Sequence, residues 1–208
     1  MRKFYSRIES YYKDKLERFS FSDERHRALG WESRDAQYKR FSVLCNFLKE
    51  KGVSSILDVG CGLGDLYQFL KVHDIDCAYT GVDILPDMVE RASSFYPGAC
   101  FVAGDVFTEN SFSPSSFDVV YSCGVFNLRV DDNYAFLDKA FEVFYSLSSS
   151  FVVCSMLSDS SVDKEYEYFY YNREKVRGLA SSHFPYCFIV DNYLINDMTV
   201  FCSKGRGL

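Results

Sequence analysis

Two features are missing from this 208-residue chain: a long apolar run and a basic face. With no stretch of about 18 apolar residues, a membrane-crossing helix is not expected. The opening Met1-Arg2-Lys3-Phe4-Tyr5-Ser6-Arg7 turns polar at once and has no apolar h-region, so secretion is not expected either. The 23 Lys and Arg are outnumbered by 29 Asp and Glu, for a net charge of -6, and no long Lys/Arg run occurs. A general phosphate-backbone binder needs a basic face, so nucleic acid is disfavoured as a partner. Histidine is scarce, at three (His26, His73, His183), which leaves few candidates for a histidine base. The eight cysteines contain no C-x-x-C pair and no Cys/His cluster at zinc spacing, so no metal site is expected. Most sit in apolar runs such as Phe151-Val152-Val153-Cys154, as reduced core residues of a cytoplasmic protein would. No repeat or linker breaks the chain, so residues 1–208 are expected to form one domain.

What is present suits a packed core: 48% of residues are apolar and 25% charged. Twenty Phe and 16 Tyr against one Trp, Trp31, either fill that core or line a pocket for a flat ligand. Residues 1–52 read as a helical segment. A helix over 3–19 carries Phe4, Ile8, Tyr11, Tyr12, Leu16 and Phe19 near a 3.6 period. A second, over 33–51, carries Tyr38, Phe41, Leu44, Cys45 and Leu48, and Gly52 can end it. From residue 53 to 208 the pattern alternates. Strands are expected at 54–59, 77–83, 100–104, 117–122 and 150–156, with helices at 65–73, 86–96 and 132–148 between them. Such alternation gives a parallel sheet with right-handed crossovers. The connection 105–116 is expected to hold only a short turn. A helix over 173–183, capped by Asn172, precedes strand-like runs at 186–194 and 198–203 joined through Asn196-Asp197. So short a link makes a hairpin, and the last strand antiparallel. The fold class is therefore α/β: a three-layer αβα sandwich around a doubly wound, mostly parallel, seven-stranded sheet.

The chemistry-bearing motif is Asp58-Val59-Gly60-Cys61-Gly62-Leu63-Gly64-Asp65. An apolar strand ends in an acid, three alternating glycines follow, and a helix begins. Glycines let the backbone turn sharply and approach a ligand without a Cβ in the way, and the helix start exposes unpaired N–H groups. This is the carboxyl end of the first strand, where open parallel sheets bind ligands. A dinucleotide fingerprint G-x-G-x-x-G needs a third glycine where this chain has Asp65, whose carboxylate would repel a pyrophosphate. An NAD-dependent oxidoreductase is therefore the weaker alternative. The next strand ends at Asp83, 19 residues past Gly64 and near the offset at which an acid meets ribose hydroxyls.

The spacing resembles the D/E-x-G-x-G-x-G motif of the class I, Rossmann-like S-adenosylmethionine-dependent methyltransferases. Four ordered motifs over about residues 54–156 carry the resemblance. It implies that Gly60, Cys61, Gly62 and Gly64 pack against the methionine half of the cofactor, with Asp58 helping to hold its amino group. It also implies that Asp83 grips the ribose, that Asp105 accepts from the adenine amine, and that Ile84 and Val106 flank the base, with Cys123 at the end of the fourth strand. The product would be S-adenosylhomocysteine. Many relatives carry Glu-His where this chain has Asn127-Leu128, and the Asp/Asn-Pro-Pro-Tyr motif of amide methylation is absent. The Tyr168–Tyr171 run and residues 191–200 resemble a bacterial branch of unassigned substrate.

On the acceptor side, a small molecule is expected. Asn127 is the candidate to orient it, or else ties down a loop. Trp31, Tyr168 and Tyr171 are candidate pocket walls, with Tyr166 and Tyr170 beside them, or else packing residues. Arg34 and Arg40 could meet a carboxylate or lie on a solvated face, and His183 is the one histidine worth testing as a base. A non-catalytic cofactor-binding partner is the other alternative reading, and a monomer or homodimer is expected.

Overall fold

A computed structural model describes residues 2–22, 24–108 and 112–205, with side chains from residue 8 onward. The side chain of Phe4 and residues 109–111 of the third connection thus lie outside the described residues. Two helices, α1 (Arg2–Phe19) and α2 (Arg34–Lys51), precede the sheet and are joined through a 3-10 turn at Arg25–Leu29. The helix α2 starts where Ser33 accepts a hydrogen bond from the Ala36 N–H, and it stops at Gly52 in the left-handed region (φ 61°). Then follow β1 (Ser55–Val59), α3 (Asp65–Val72), β2 (Ala78–Asp83), α4 (Pro86–Phe95), β3 (Cys100–Ala103), β4 (Phe117–Cys123), α5 (Asn133–Leu147), β5 (Ser148–Leu157), α6 (Arg173–His183), β6 (Tyr186–Val190) and β7 (Asp197–Ser203). Proline at the first position of α4 and side-chain caps from Asp132 on α5 and Asn172 on α6 set those starts.

The seven strands lie in the order β3-β2-β1-β4-β5-β7-β6. All neighbours from β3 to β5 pair parallel, and β7 runs antiparallel to both β5 and β6. The order reverses between β1 and β4, so the crevice of the doubly wound sheet opens at their carboxyl ends. Successive strand residues face opposite sides. Leu57, Val120, Val152 and Val200 meet Phe141 and Phe144 of α5 and Val176 of α6 on one face. Ile56, Val119, Val153 and Phe201 meet Phe41 and Leu44 of α2 and Phe69 and Leu70 of α3 on the other. The fold is the expected three-layer sandwich. No described helix is long and apolar enough to cross a membrane.

The end of β6 and the setting of Arg40 differ from the sequence reading. The strand β6 ends at Val190 and not at residue 194, so six residues, not three, join it to β7. The extra residues leave the ladder because the Tyr193 hydroxyl turns inward to donate to Asp197 at 2.5 Å. Arg40 is not on a solvated face: only 4% of it is exposed, and its Nε donates to the Asp197 carboxylate at 2.6 Å. Trp31 covers the guanidinium, 4.6 Å from ring centre to carbon. This buried pair bolts α2 to β7 across the sheet. Removing one partner of such a pair strands the other charge. Arg40→Met is expected to lower unfolding stability by about 3–5 kcal/mol, and adding Asp197→Asn should recover more than half of the loss, both read from urea melts.

Candidate functional site

Beyond Val59 the chain leaves β1 and is held against the end of β2: the N–H groups of Gly60 and Cys61 both donate to the Val82 carbonyl, at 2.8 and 3.1 Å. Gly60, Gly62 and Gly64 have φ of 76°, 53° and 76°, a region that costs other residues about 1–2 kcal/mol each. Space is as restrictive as torsion. A Cβ on Gly60 would lie 2.2 Å from Val125 Cγ2, and one on Gly62 would lie 2.5 Å from Leu29 Cδ2. The loop is therefore a glycine cradle, with α3 starting from it at Asp65.

Carboxylates surround the cradle. Asp83 accepts from the Gly62 N–H at 2.9 Å and from the Leu85 N–H at 3.0 Å. Burial raises its pKa, against those backbone hydrogen bonds. Asp58, at the core end of β1, accepts from the Tyr79 hydroxyl at 2.7 Å. Burial outweighs that bond and pushes the carboxyl up to about 7. Asp105, past β3, accepts from the Phe107 N–H and the Thr108 hydroxyl. Asp65 lines the same cavity as these acids. It is buried, accepts from Gln37 Nε2 at 3.1 Å, and has Arg25 Nη2 2.9 Å from Oδ1, near enough for an ion pair though angled away from hydrogen-bond geometry.

These groups converge on one cavity of about 140 Å³. Asp58, Gly60, Cys61, Asp83, Ile84, Asp105, Val106 and Cys123 all line it. Gly62 and Gly64 shape the cradle without lining it. Sequence reasoning missed the roof, which Tyr11, Tyr12 and Leu29 supply from the N-terminal segment. Their helical spacing reads as ordinary core packing, and only the sheet reveals what that face covers.

A second cavity, of about 700 Å³, adjoins the first, and Gly30, Trp31, Asn127 and Tyr168 line both. Trp31 lies against Gly124, where a Cβ would come within 2.8 Å of its ring. The hydroxyls of Tyr168 and Tyr11 are 2.5 Å apart, and Lys15 Nζ donates to the latter at 2.6 Å.

Several candidates fall elsewhere. Tyr171 does not wall a pocket. It is wholly buried among core aromatics, its hydroxyl donating to the Phe126 carbonyl at 3.1 Å. Asn127 lines both cavities and also ties a loop, its Oδ1 accepting from the Leu157 N–H and its carbonyl from the Phe169 N–H. Tyr166 is 88% exposed, Tyr170 lines the second cavity, and Arg34 is exposed and lines neither. His183 cannot act as a base at this site, because it pairs with Asp138 of α5 at 2.7 Å, away from both cavities. His73 bonds the Phe69 carbonyl beyond α3, and His26 lines neither cavity.

Residues 56–146 match the family model of the methyltransferase domain. That stretch, the first half of the Rossmann-like core, is thus similar to the methyltransferase domain family. A candidate methyltransferase of Mycobacterium tuberculosis (strain ATCC 25618 / H37Rv), Rv1506c, is 35% identical over 80 residues. That stretch is 36% of this chain and spans only 44% of the relative's length. Among solved structures, the magnesium protoporphyrin IX methyltransferase of Synechocystis PCC 6803 with bound S-adenosylhomocysteine superposes with a TM-score of 0.67 at 11% identity, covering 96% of this chain and 99% of that one. A TehB-like methyltransferase from Corynebacterium glutamicum gives 0.65 at 16% identity, covering 94% and 99%. At those identities the likeness is one of fold.

The cradle makes a direct prediction. Gly62→Ala should lower stability by about 1–2 kcal/mol from the positive φ alone. Adding Leu29→Ala should relieve the contact but leave that torsional cost, so denaturant melts should show partial and never full recovery.

Proposed function

We propose that this protein is an enzyme that binds S-adenosylmethionine in the glycine-cradled cavity and transfers its methyl group to a small molecule. One observation carries the reading: the cradle and three carboxylates, Asp58, Asp83 and Asp105, stand at successive strand ends around a single cavity. The residues present fit the cofactor. The Gly60–Gly64 loop turns tightly at the edge of the cavity, its glycines packed against Val125, Leu29 and Phe101, while Asp58 is a buried acceptor for an ammonium, and Asp83 and Asp105 offer carboxylate oxygens for hydroxyl and amine donors. Ile84 and Val106 supply apolar surface for a flat base.

When bound, the cofactor supplies an electrophilic methyl group on a sulfonium. The protein's own part is to bind, orient and exclude water. Positioning reactants for a direct displacement can supply roughly 7–11 kcal/mol. The roof of Tyr11, Tyr12 and Leu29 closes the cavity on one side, and the shared wall of Trp31 and Tyr168 leaves the adjoining cleft as the acceptor's place. In this reading residues 1–52 roof a single domain formed with residues 53–208. The eight free thiols suit a reducing cytoplasm.

Two measurements test the reading. S-adenosylhomocysteine at a hundredfold excess over its Kd should add about 2.7 kcal/mol of stability, which Asp83→Ala should largely abolish. Absence of any thermal shift with the unaltered protein would sink the proposal. The affinity should also depend on pH. An ammonium beside Asp58 favours its ionised form, so binding below pH 7 expels a proton. Calorimetric affinity should therefore rise as pH climbs from 5.5 to about 7 and then level off, and Asp58→Asn should flatten that profile. Without ligand the sign reverses: folding raises this carboxyl above its unfolded value, so its contribution to stability falls as pH rises from about 4 to about 7.

A further inference from the structure

The second cavity is the larger of the two, and its chemistry is uneven. Its three cations are already engaged. Arg40 is held by Asp197, Arg27 pairs with Glu24 at 3.1 Å, and Lys15 donates to Tyr11 while its ammonium sits 3.9 Å from that ring's centre. Its three carboxylates, on Glu32, Asp163 and Glu165, make no ion pair and no side-chain hydrogen bond among the described residues. Burial lowers the Lys15 pKa, although Glu167 and Glu165 pull the other way. The cleft is thus net acidic toward whatever enters it.

Carboxylates alone would mark only a solvated rim. Here they edge a cavity of about 700 Å³ that shares a wall with the cofactor cavity, and aromatic rings line it: Trp31, Tyr168, Tyr170 and Phe19. Its lining also includes Val162 and Ile195, 81% and 74% exposed, which add apolar surface at the mouth. Trp31, Phe19 and Tyr170 already lie beside Arg40, Arg18 and Lys164, so the rings and the apolar residues at the mouth take a hydrocarbon body, and the unpaired carboxylates take an ammonium while rejecting an anion.

Resting on the proposed methyl transfer, we propose that this cleft binds the acceptor, and that the acceptor is an amine carried on an apolar or aromatic body, methylated at nitrogen. The amine enters as an ammonium, drawn by Glu32, Asp163 and Glu165. It first gives one proton to the water in the open cleft. Its freed lone pair then forms the N–C bond to the methyl carbon as the C–S bond breaks. The C–S electron pair stays on sulfur, leaving neutral S-adenosylhomocysteine and a methylated ammonium that leaves with the positive charge.

Calorimetry on the full chain saturated with S-adenosylhomocysteine tests this with three probes of one shape: 2-phenylethylamine, 2-phenylethanol and 3-phenylpropionate. The amine should bind at least tenfold more tightly than the alcohol, and the carboxylate more weakly than both. The double variant Asp163→Asn/Glu165→Gln, at exposed positions that leave the core untouched, should bring amine and alcohol within about threefold. Carboxylate binding that equals or exceeds the amine's overturns the proposal, as does an amine preference unchanged in the double variant, or no amine binding at all. Saturation with S-adenosylhomocysteine is measured first, so its failure would count against the cofactor reading and not against the acceptor class.

Discussion

The Asp83 carboxylate bonded to the Gly62 N–H is the join on which the site depends. It ties the end of β2 to the middle of the loop that leaves β1, so two adjacent strand ends become one wall. The second Asp83 oxygen takes the Leu85 N–H at the threshold of α4 and fixes the next turn as well. A carboxylate that accepts backbone donors on both oxygens still has lone pairs to offer, and its direction is now set by the main chain. The glycines matter in that setting because the loop must pass under Val125 and Leu29 while its N–H groups reach Val82 and Asp83. A Cβ would break the fit before it met any ligand.

The roof depends on a different set of forces. Leu29 of the roof rests on Gly62, and Trp31 of the shared wall rests on Gly124. Arg40 fixes Trp31 from behind and is itself fixed by Asp197, which in turn receives the Tyr193 hydroxyl. The wall between the two cavities is thereby anchored in β7, on the far side of the sheet's centre from the cradle. By contrast α1 is attached near the cavities by the Tyr11–Tyr168 hydroxyl contact and by Arg91 reaching the Leu16 carbonyl.

Local signals were legible in the sequence, and distant ones were not. The glycine spacing, the acids closing β1 and β2, and the caps Ser33, Asp132 and Asn172 each depend on neighbours within a few residues, so the chain itself states them. The sheet order followed from strand and helix alternation. Arg40 and Asp197 are 157 positions apart, and nothing in a helical periodicity announces that one polar residue on α2 points inward to an acid on the last strand. Tyr168 and Tyr171 looked alike as members of one tyrosine run. A three-residue step sends the first to the cavities and the second into the core beneath α5, because the segment bridges back to Leu128 and Ser158 between them. Asn127 was ambiguous for the same reason: a side-chain amide suits a ligand or a backbone, and the Leu157 N–H settles its oxygen on the backbone.

Under the proposed methyl transfer, the two cavities differ in a way that matches what a displacement at a sulfonium needs. The cradle side is small, walled by Val59, Val82, Val106 and Leu66, and carries its carboxylates in fixed bonds. Water is costly to a reactive methyl donor, and a dry wall also strengthens each electrostatic contact inside it. The cleft beyond Trp31 is large, open and edged by charge, as suits a surface that selects a partner and lets a proton and a product leave. A shared wall of Gly30, Trp31, Asn127 and Tyr168 separates these two environments, and the Trp31 ring in it is held between a guanidinium and a glycine.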